Sequence, residues 1–167
     1  MSALRPLLAA ASLAALTACA TAPTPEPYVR PESPAPTPIA GYDWHLNMSG
    51  GEAGLAYGVA ESDDLKIGLD CNRASGRLEL VTLADKGAKP EIVVESGGDT
   101  ERFSAASEPS QLNDGVILTA SASTAEPVFQ RFRRVGWLAQ WRDGEREAYA
   151  PQPGSTPNIE RFFAFCG

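Results

Sequence analysis

A run of prolines near the start constrains this chain more than any other feature. Pro23, Pro25, Pro27, Pro31, Pro34, Pro36 and Pro38 fall between Thr21 and Pro38. Each one removes a backbone donor and fixes φ, so neither a helix nor a strand ladder forms across the segment. Whatever folds lies after it. About 125 of the 167 residues remain, enough for one hydrophobic core without a metal to nucleate it. As a PPII-like chain at ~3.1 Å per residue the segment reaches roughly 55 Å, a semi-rigid spacer. Serving as ligand for a proline-binding module is the competing use, but such modules are unexpected outside the cytoplasm.

The residues before the prolines suit export. Met-Ser-Ala-Leu-Arg precedes Pro6 and an apolar run from Leu7 to Leu16. A cationic start and a short apolar stretch match a secretory signal. The stretch is too short for a permanent membrane span, which needs about 20 apolar residues. At Leu16-Thr17-Ala18-Cys19 the chain resembles the lipobox of bacterial lipoproteins. The resemblance implies a diacylglyceryl group on the Cys19 thiol, cleavage just before it and acylation of the new amino end. Two or more acyl chains hold a protein on a bilayer lastingly, where one does so only marginally. Ala20, rather than Asp, follows the cysteine, which in the lipoprotein sorting pattern implies the outer membrane. An ordinary signal peptide cut near Ala18-Cys19-Ala20 is the other reading. The expected organisation is a signal peptide over 1–18, a lipidated start and spacer over 19–39, and one globular domain over 40–167.

With Cys19 consumed by lipid, as the resemblance implies, two of the three cysteines remain. In an oxidising envelope Cys71 and Cys166 are most simply one disulfide. A free reactive thiol and a metal pair are the alternatives. Neither cysteine has a His or second Cys at ligand spacing, and the only histidine is His45.

After Gly41, apolar residues alternate in short runs between Gly, Asn, Asp and Ser. The runs are Trp44–Met48, Leu55–Val59, Leu65–Cys71, Leu78–Leu83, Glu91–Glu95, Arg102–Ser104 and Gly115–Ala122. Turns are expected at Gly50-Gly51 and Ser75-Gly76. Strand signals at this spacing predict a mainly β fold: an antiparallel sandwich or barrel. Two short helices interrupt it. Ser123 and Glu126 suggest a capping box before Val128, Phe129 and Phe132, with Gly136 as the stop. Trp137–Arg142 and Glu145–Tyr149 then read as a hairpin about Asp143-Gly144. Thr156 is expected to cap a final helix with Pro157 at its first position, and Ile159, Phe162, Phe163 and Cys166 share one face of it.

Chemistry is harder to find. No Gly-x-Ser-x-Gly, His-Glu-x-x-His, P-loop or dinucleotide fingerprint occurs, so no catalytic residue, cofactor or metal site is assigned. A Ser-His-Asp device would have to use His45, which reads as a half-exposed strand residue. Glu61-Ser62-Asp63-Asp64 lacks the carboxylate spacing of a calcium loop and reads as a solvated turn. A net charge of −7, which becomes −8 once the signal with its single cation Arg5 is removed, disfavours nucleic acid as a partner. Against that background Arg131, Arg133, Arg134 and Arg142, interleaved with Trp137 and Trp141 and followed by Arg146, form a basic and aromatic candidate patch. It suits a polyanion or an envelope glycan stacked on indole rings. The plainer reading is a hairpin whose arginine stems cover the tryptophans.

The mature chain is also similar to the membrane-bound lysozyme inhibitors, in which a small β-barrel behind an acylated stalk pairs an early cysteine with one near the end. Cys71 and the strands after it, Leu118-Thr119-Ala120-Ser121-Ala122-Ser123, and Cys166 carry the similarity over residues 65–167. The inhibitors' Ser-Gly-x-x-Tyr loop falls around Ser123–Pro127, where this chain has neither the Gly nor the Tyr. The inhibitory residues are therefore not carried over. The expectation is a lipid-anchored envelope protein whose non-enzymatic domain binds an envelope protein, glycan or other ligand. A lysozyme-type inhibitor and an envelope hydrolase are the alternatives.

Overall fold

Alternation of apolar and polar side chains lays down four consecutive hairpin-linked strands. They are β1 (Tyr42–Ser49), β2 (Glu52–Val59), β3 (Leu65–Asn72) and β4 (Arg77–Ala84). Ala53, Leu55 and Tyr57, then Ile67, Leu69 and Cys71, then Leu78 and Leu80 point to one side and are buried. The chain next builds a second sheet with β5 (Glu91–Ser96) and β6 (Asp99–Ser104). It returns to the first with β7 (Ala106–Pro109) and β8 (Val116–Ser123). Helix α1 (Pro127–Val135) leads back to the second sheet, where β9 (Leu138–Arg142) and β10 (Glu145–Tyr149) pair, and α2 (Thr156–Cys166) follows. The computed structural model describes residues 34–111 and 113–167. The expected signal segment, Cys19 and most of the expected spacer lie outside these.

The first sheet runs β1-β2-β3-β4-β8-β7 and the second β10-β9-β5-β6, with every pairing antiparallel. Two open sheets make a sandwich; of the two architectures expected, this is the one formed. Strand β7 had no sequence signal. Its four residues are all exposed, so no apolar alternation marks it, and Pro109 is tolerated because the strand lies at a sheet edge.

The helices complete the core. Val128, Phe129 and Phe132 of α1 and Ile159, Phe162, Phe163 and Cys166 of α2 are buried. Helix α1 packs on β5 and β6, α2 on β1 and β2, and the helices touch each other. Trp44 stands 5.2 Å from Tyr57 and 4.9 Å from Phe132, ring centre to ring centre, and Phe132 meets Phe163 edge-on at 5.7 Å. Aromatic pairs of this kind contribute about 0.5–1.5 kcal/mol each beyond their area. Trp44 is the link from β1 to the far sheet, because its Nε1 donates to the Tyr149 carbonyl at 3.1 Å.

Helix starts differ from expectation by a few residues. Ser123 ends β8, and its hydroxyl donates to the Gly76 carbonyl and accepts from the Ala125 amide, so no capping box forms. Glu126 is the N-cap of α1 and Pro127 supplies the first turn, where its missing N–H costs nothing. Gly136 does stop that helix, at φ 81°, its amide donating to the Phe132 carbonyl. Ser155 rather than Thr156 caps α2. The disulfide is formed: Cys71 of β3 bonds Cys166 at the end of α2, with their Cα atoms 5.8 Å apart. Backbone bonds from Ala74 to Phe165 and from Gly76 to Cys166, each 2.9 Å, seal the same seam.

Candidate binding site

Strand β9 divides the candidate patch between two faces. Alternation sends Leu138, Gln140 and Arg142 toward the first sheet and Ala139 and Trp141 outward. Asp143 and Gly144, both with positive φ (48° and 84°), make the two-residue turn that sets Trp141 opposite Arg146. Register with β5 places Val93 beside Trp141 and Glu95 beside Ala139. On this outer face Glu95 accepts from Arg146 Nε at 2.7 Å, from Arg146 Nη2 at 3.0 Å and from Trp141 Nε1 at 3.0 Å. The Arg146 guanidinium also lies 5.3 Å from the Trp137 ring centre. Hydrogen bonds from Arg146 hold the Glu95 carboxyl below its ordinary range, outweighing the opposite pull of burial. Trp137 is buried, while Trp141 is 36% exposed. Arginine covering of an indole thus holds for Trp137, while Trp141 stays partly exposed.

Inside the sandwich the chemistry is different. Arg142 Nη2 reaches Thr82 Oγ1 at 2.6 Å, Gln140 Oε1 at 2.8 Å and the Lys66 carbonyl at 3.3 Å. The Tyr149 hydroxyl donates toward Gln140 Oε1 (3.3 Å) and Glu147 Oε2 (3.2 Å), and Lys66 Nζ pairs with Glu147 at 3.5 Å. Burial, then the Glu147 charge, pushes the Tyr149 phenol far above its ordinary range. A polar string therefore runs from β3 and β4 across to β9 and β10.

The three helical arginines do not join either group. Arg131 pairs with Asp99 at 2.9 Å and lies so close over Gly97 that a Cβ there would stand 2.7 Å from its Cδ. Arg133 makes two bonds, 2.8 and 2.5 Å, to Glu160 of α2. Arg134 is exposed on α1. Of the six patch residues, the fold puts Trp137 and Trp141 on one face, Arg142 on the opposite face, and the rest on α1.

Trp141 and Arg142 both border a cleft of about 1170 Å³. It opens where the segment between β4 and β5, the residues before β8 and the β9–β10 turn meet. Lys86, Lys89, Arg102, Asn113 and Asp114 line it with Gln140. Arg102 lies on β6 and Gln140 on β9; the loop residues Lys86, Lys89, Asn113 and Asp114 carried no sequence signal, because they converge from separate connections. The inward aim of Arg142 was readable: it shares parity with Leu138 and Gln140.

No protein-family model, curated protein or solved structure matches the chain. The remaining features fall elsewhere. His45 is exposed, its Nε2 3.2 Å from the Gly58 carbonyl. Glu61-Ser62-Asp63-Asp64 forms the β2–β3 connection, where Asp64 accepts the Tyr42 hydroxyl. A smaller concavity of about 680 Å³ on the outer face of the first sheet contains Glu52, Asp70 and Glu79. Asp70 lies over Gly54, where a Cβ would come within 2.7 Å of its Oδ1. Burial, with Glu79 and Glu52 adding to it, raises the Asp70 carboxyl.

Proposed function

We propose that this chain is an exported lipoprotein, anchored through acylated Cys19, whose sandwich domain binds a ligand without chemically changing it. The ligand enters the cleft beside Trp141. The observation that carries this reading is the cleft itself. It is large enough for a small organic ligand, and of the large apolar side chains among the described residues only Met48 and Trp141 are prominently exposed. A partly exposed indole at the mouth of a polar cleft gives a ring or sugar face something to stack on. The closed Cys71–Cys166 bridge supports an oxidising compartment, and the proline spacer with the Leu16-Thr17-Ala18-Cys19 motif supports the anchor. Among the described residues the His45 ring has the Gly58 carbonyl as its hydrogen-bond partner, which gives the hydrolase alternative no support.

A lysozyme-type inhibitor draws on one specific observation: the carboxylates of Glu52, Asp70 and Glu79 share a face that a cationic protein would meet. The segment Ser123–Pro127 gives it no help, since the Ser123 hydroxyl is bonded to Gly76 and that of Thr124 to Gly167 at 2.7 Å.

Photo-crosslinking side chains placed at Trp141, at Lys86 and, as an opposite-face control, at Glu79 test the proposal in living cells. Adducts confined to the first two positions are expected. Adducts at Glu79 alone overturn the cleft in favour of the acidic face. A Cys19→Ser chain that stays with the membrane fraction overturns the anchor.

A further inference from the structure

Among the half-buried arginines of the described residues, Arg131, Arg133 and Arg142, the last stands apart. Arg102 pairs with Glu91, Arg131 with Asp99, Arg133 with Glu160 and Arg146 with Glu95. Arg142 has no carboxylate within ion-pair distance among the described residues, although it is half-buried and its Nε is buried with no hydrogen-bond partner. Its three partners are a hydroxyl, an amide oxygen and a carbonyl, all neutral and all on Nη2. Two hydrogens on Nη2 thus face three acceptors, while the one on Nε faces none. Guanidinium does not shed its proton in proteins, and buried charges are ordinarily paired. A counter-charge for Arg142 would have to come from the cleft side, since Arg142 lines that space.

We infer that the cleft takes a sugar acid: one carboxylate that pairs with Arg142, on a ring that stacks against Trp141, since the cleft reaches both around the Asp143-Gly144 turn although they leave β9 on opposite faces. The inference rests on the cleft reading above and adds the ligand's chemistry. A single carboxylate fits better than a phosphate dianion for two reasons. A planar carboxylate matches the guanidinium fork. The cleft also carries Asp85, Glu91, Asp114 and Asp143 beside Lys86, Lys89, Arg102 and Arg142, so a second negative charge would meet acids on the rim. The ring follows from the partly exposed indole of Trp141, and its hydroxyls from the amides of Gln140 and Asn113 and the hydroxyl of Thr100 along the same cleft.

Calorimetric titration of the full chain in detergent tests this with two probes that differ in the carboxylate. N-acetylmuramic acid bears a lactyl carboxylate; N-acetylglucosamine has the same ring without it. The acid is expected to bind about tenfold or more tighter, the ratio that one charge-assisted pair supplies. Arg142→Gln should erase that preference, and Trp141→Ala should weaken both sugars alike. Arg142→Lys, which keeps the charge and loses the fork, should retain only part of the preference and serves if the glutamine variant does not fold. Inorganic phosphate binding more tightly than the acid overturns the single carboxylate. Equal binding of the two sugars overturns the role of Arg142 but leaves the cleft as a binding site. No binding of either sugar, with adducts still forming at Trp141 in cells, overturns the sugar acid and leaves the wider proposal standing.

Discussion

Replacing Cys71 and Cys166 together by alanine removes a bridge between positions 95 residues apart. Closing a loop of that length lowers the entropy of the unfolded chain by an amount equal to about 4.7 kcal/mol at 25 °C. Nearly all of this is expected as lost stability, since the native seam survives: the amide bonds to Phe165 and Cys166 and the Thr124 hydroxyl bond to Gly167 involve no sulfur. With an unfolding entropy of about 2.1 cal/mol/K per residue over about 125 residues, the midpoint temperature should fall by roughly 18 °C. Urea denaturation followed by tryptophan fluorescence gives the free energy, and thiol alkylation of the parent establishes that its bridge is closed. A loss below about 1 kcal/mol, with Cys71 and Cys166 of the parent resisting alkylation, would refute the reasoning. It would mean that the unfolded chain already holds its ends together without the sulfur bridge.

Glu95→Gln should cost about 1 kcal/mol at neutral pH, because Arg146 and Trp141 lose a charged acceptor. The Glu95 carboxyl is depressed below 4.5, so its stabilisation is whole above that value and is lost as pH falls through the folded value. The parent should therefore lose more thermal stability than the variant on acidification from about pH 5 to about pH 3, and parallel melting curves would sink the assignment. Asp70→Asn runs the other way. The Asp70 carboxyl is raised above 3.8 by burial, Glu79 and Glu52, and Glu79 is its direct cross-strand partner. Its charge therefore strains the neutral protein and is relieved as pH falls through the raised value. The variant should gain up to about 1 kcal/mol at pH 7, and the gain should vanish below about pH 3. A thermal midpoint lowered at pH 7 would overturn it.

Much of the fold was legible in particular residues. Period-two alternation in Leu65, Ile67 and Leu69 and in Leu78 and Leu80 needs no tertiary information to mark a strand with one buried side. Asp143-Gly144 is a turn because both positions take positive φ, which Gly adopts freely and Asp tolerates. Ile159, Phe162, Phe163 and Cys166 form a stripe by helical spacing alone, and all four are buried. The capping box at Ser123 failed because the Glu126 amide it needs donates to the Ser123 carbonyl, while the Ser123 hydroxyl accepts from Ala125 and donates to Gly76, 47 positions away. The candidate patch was less legible still, because nearness in sequence put side chains together that a strand sends to opposite faces.

The sequence alone therefore determined the local periods and the turns, since each depends on backbone geometry within a few residues. Tertiary structure decided which sheet each strand joined and that Glu95 rather than solvent would meet Arg146. It also decided that Arg142 would be half-buried, with no carboxylate at ion-pair distance among the described residues, beside a cleft built from three connections. Those outcomes depend on contacts between segments far apart in the chain. Their free energies are summed over the whole core, and no local stretch carries that information.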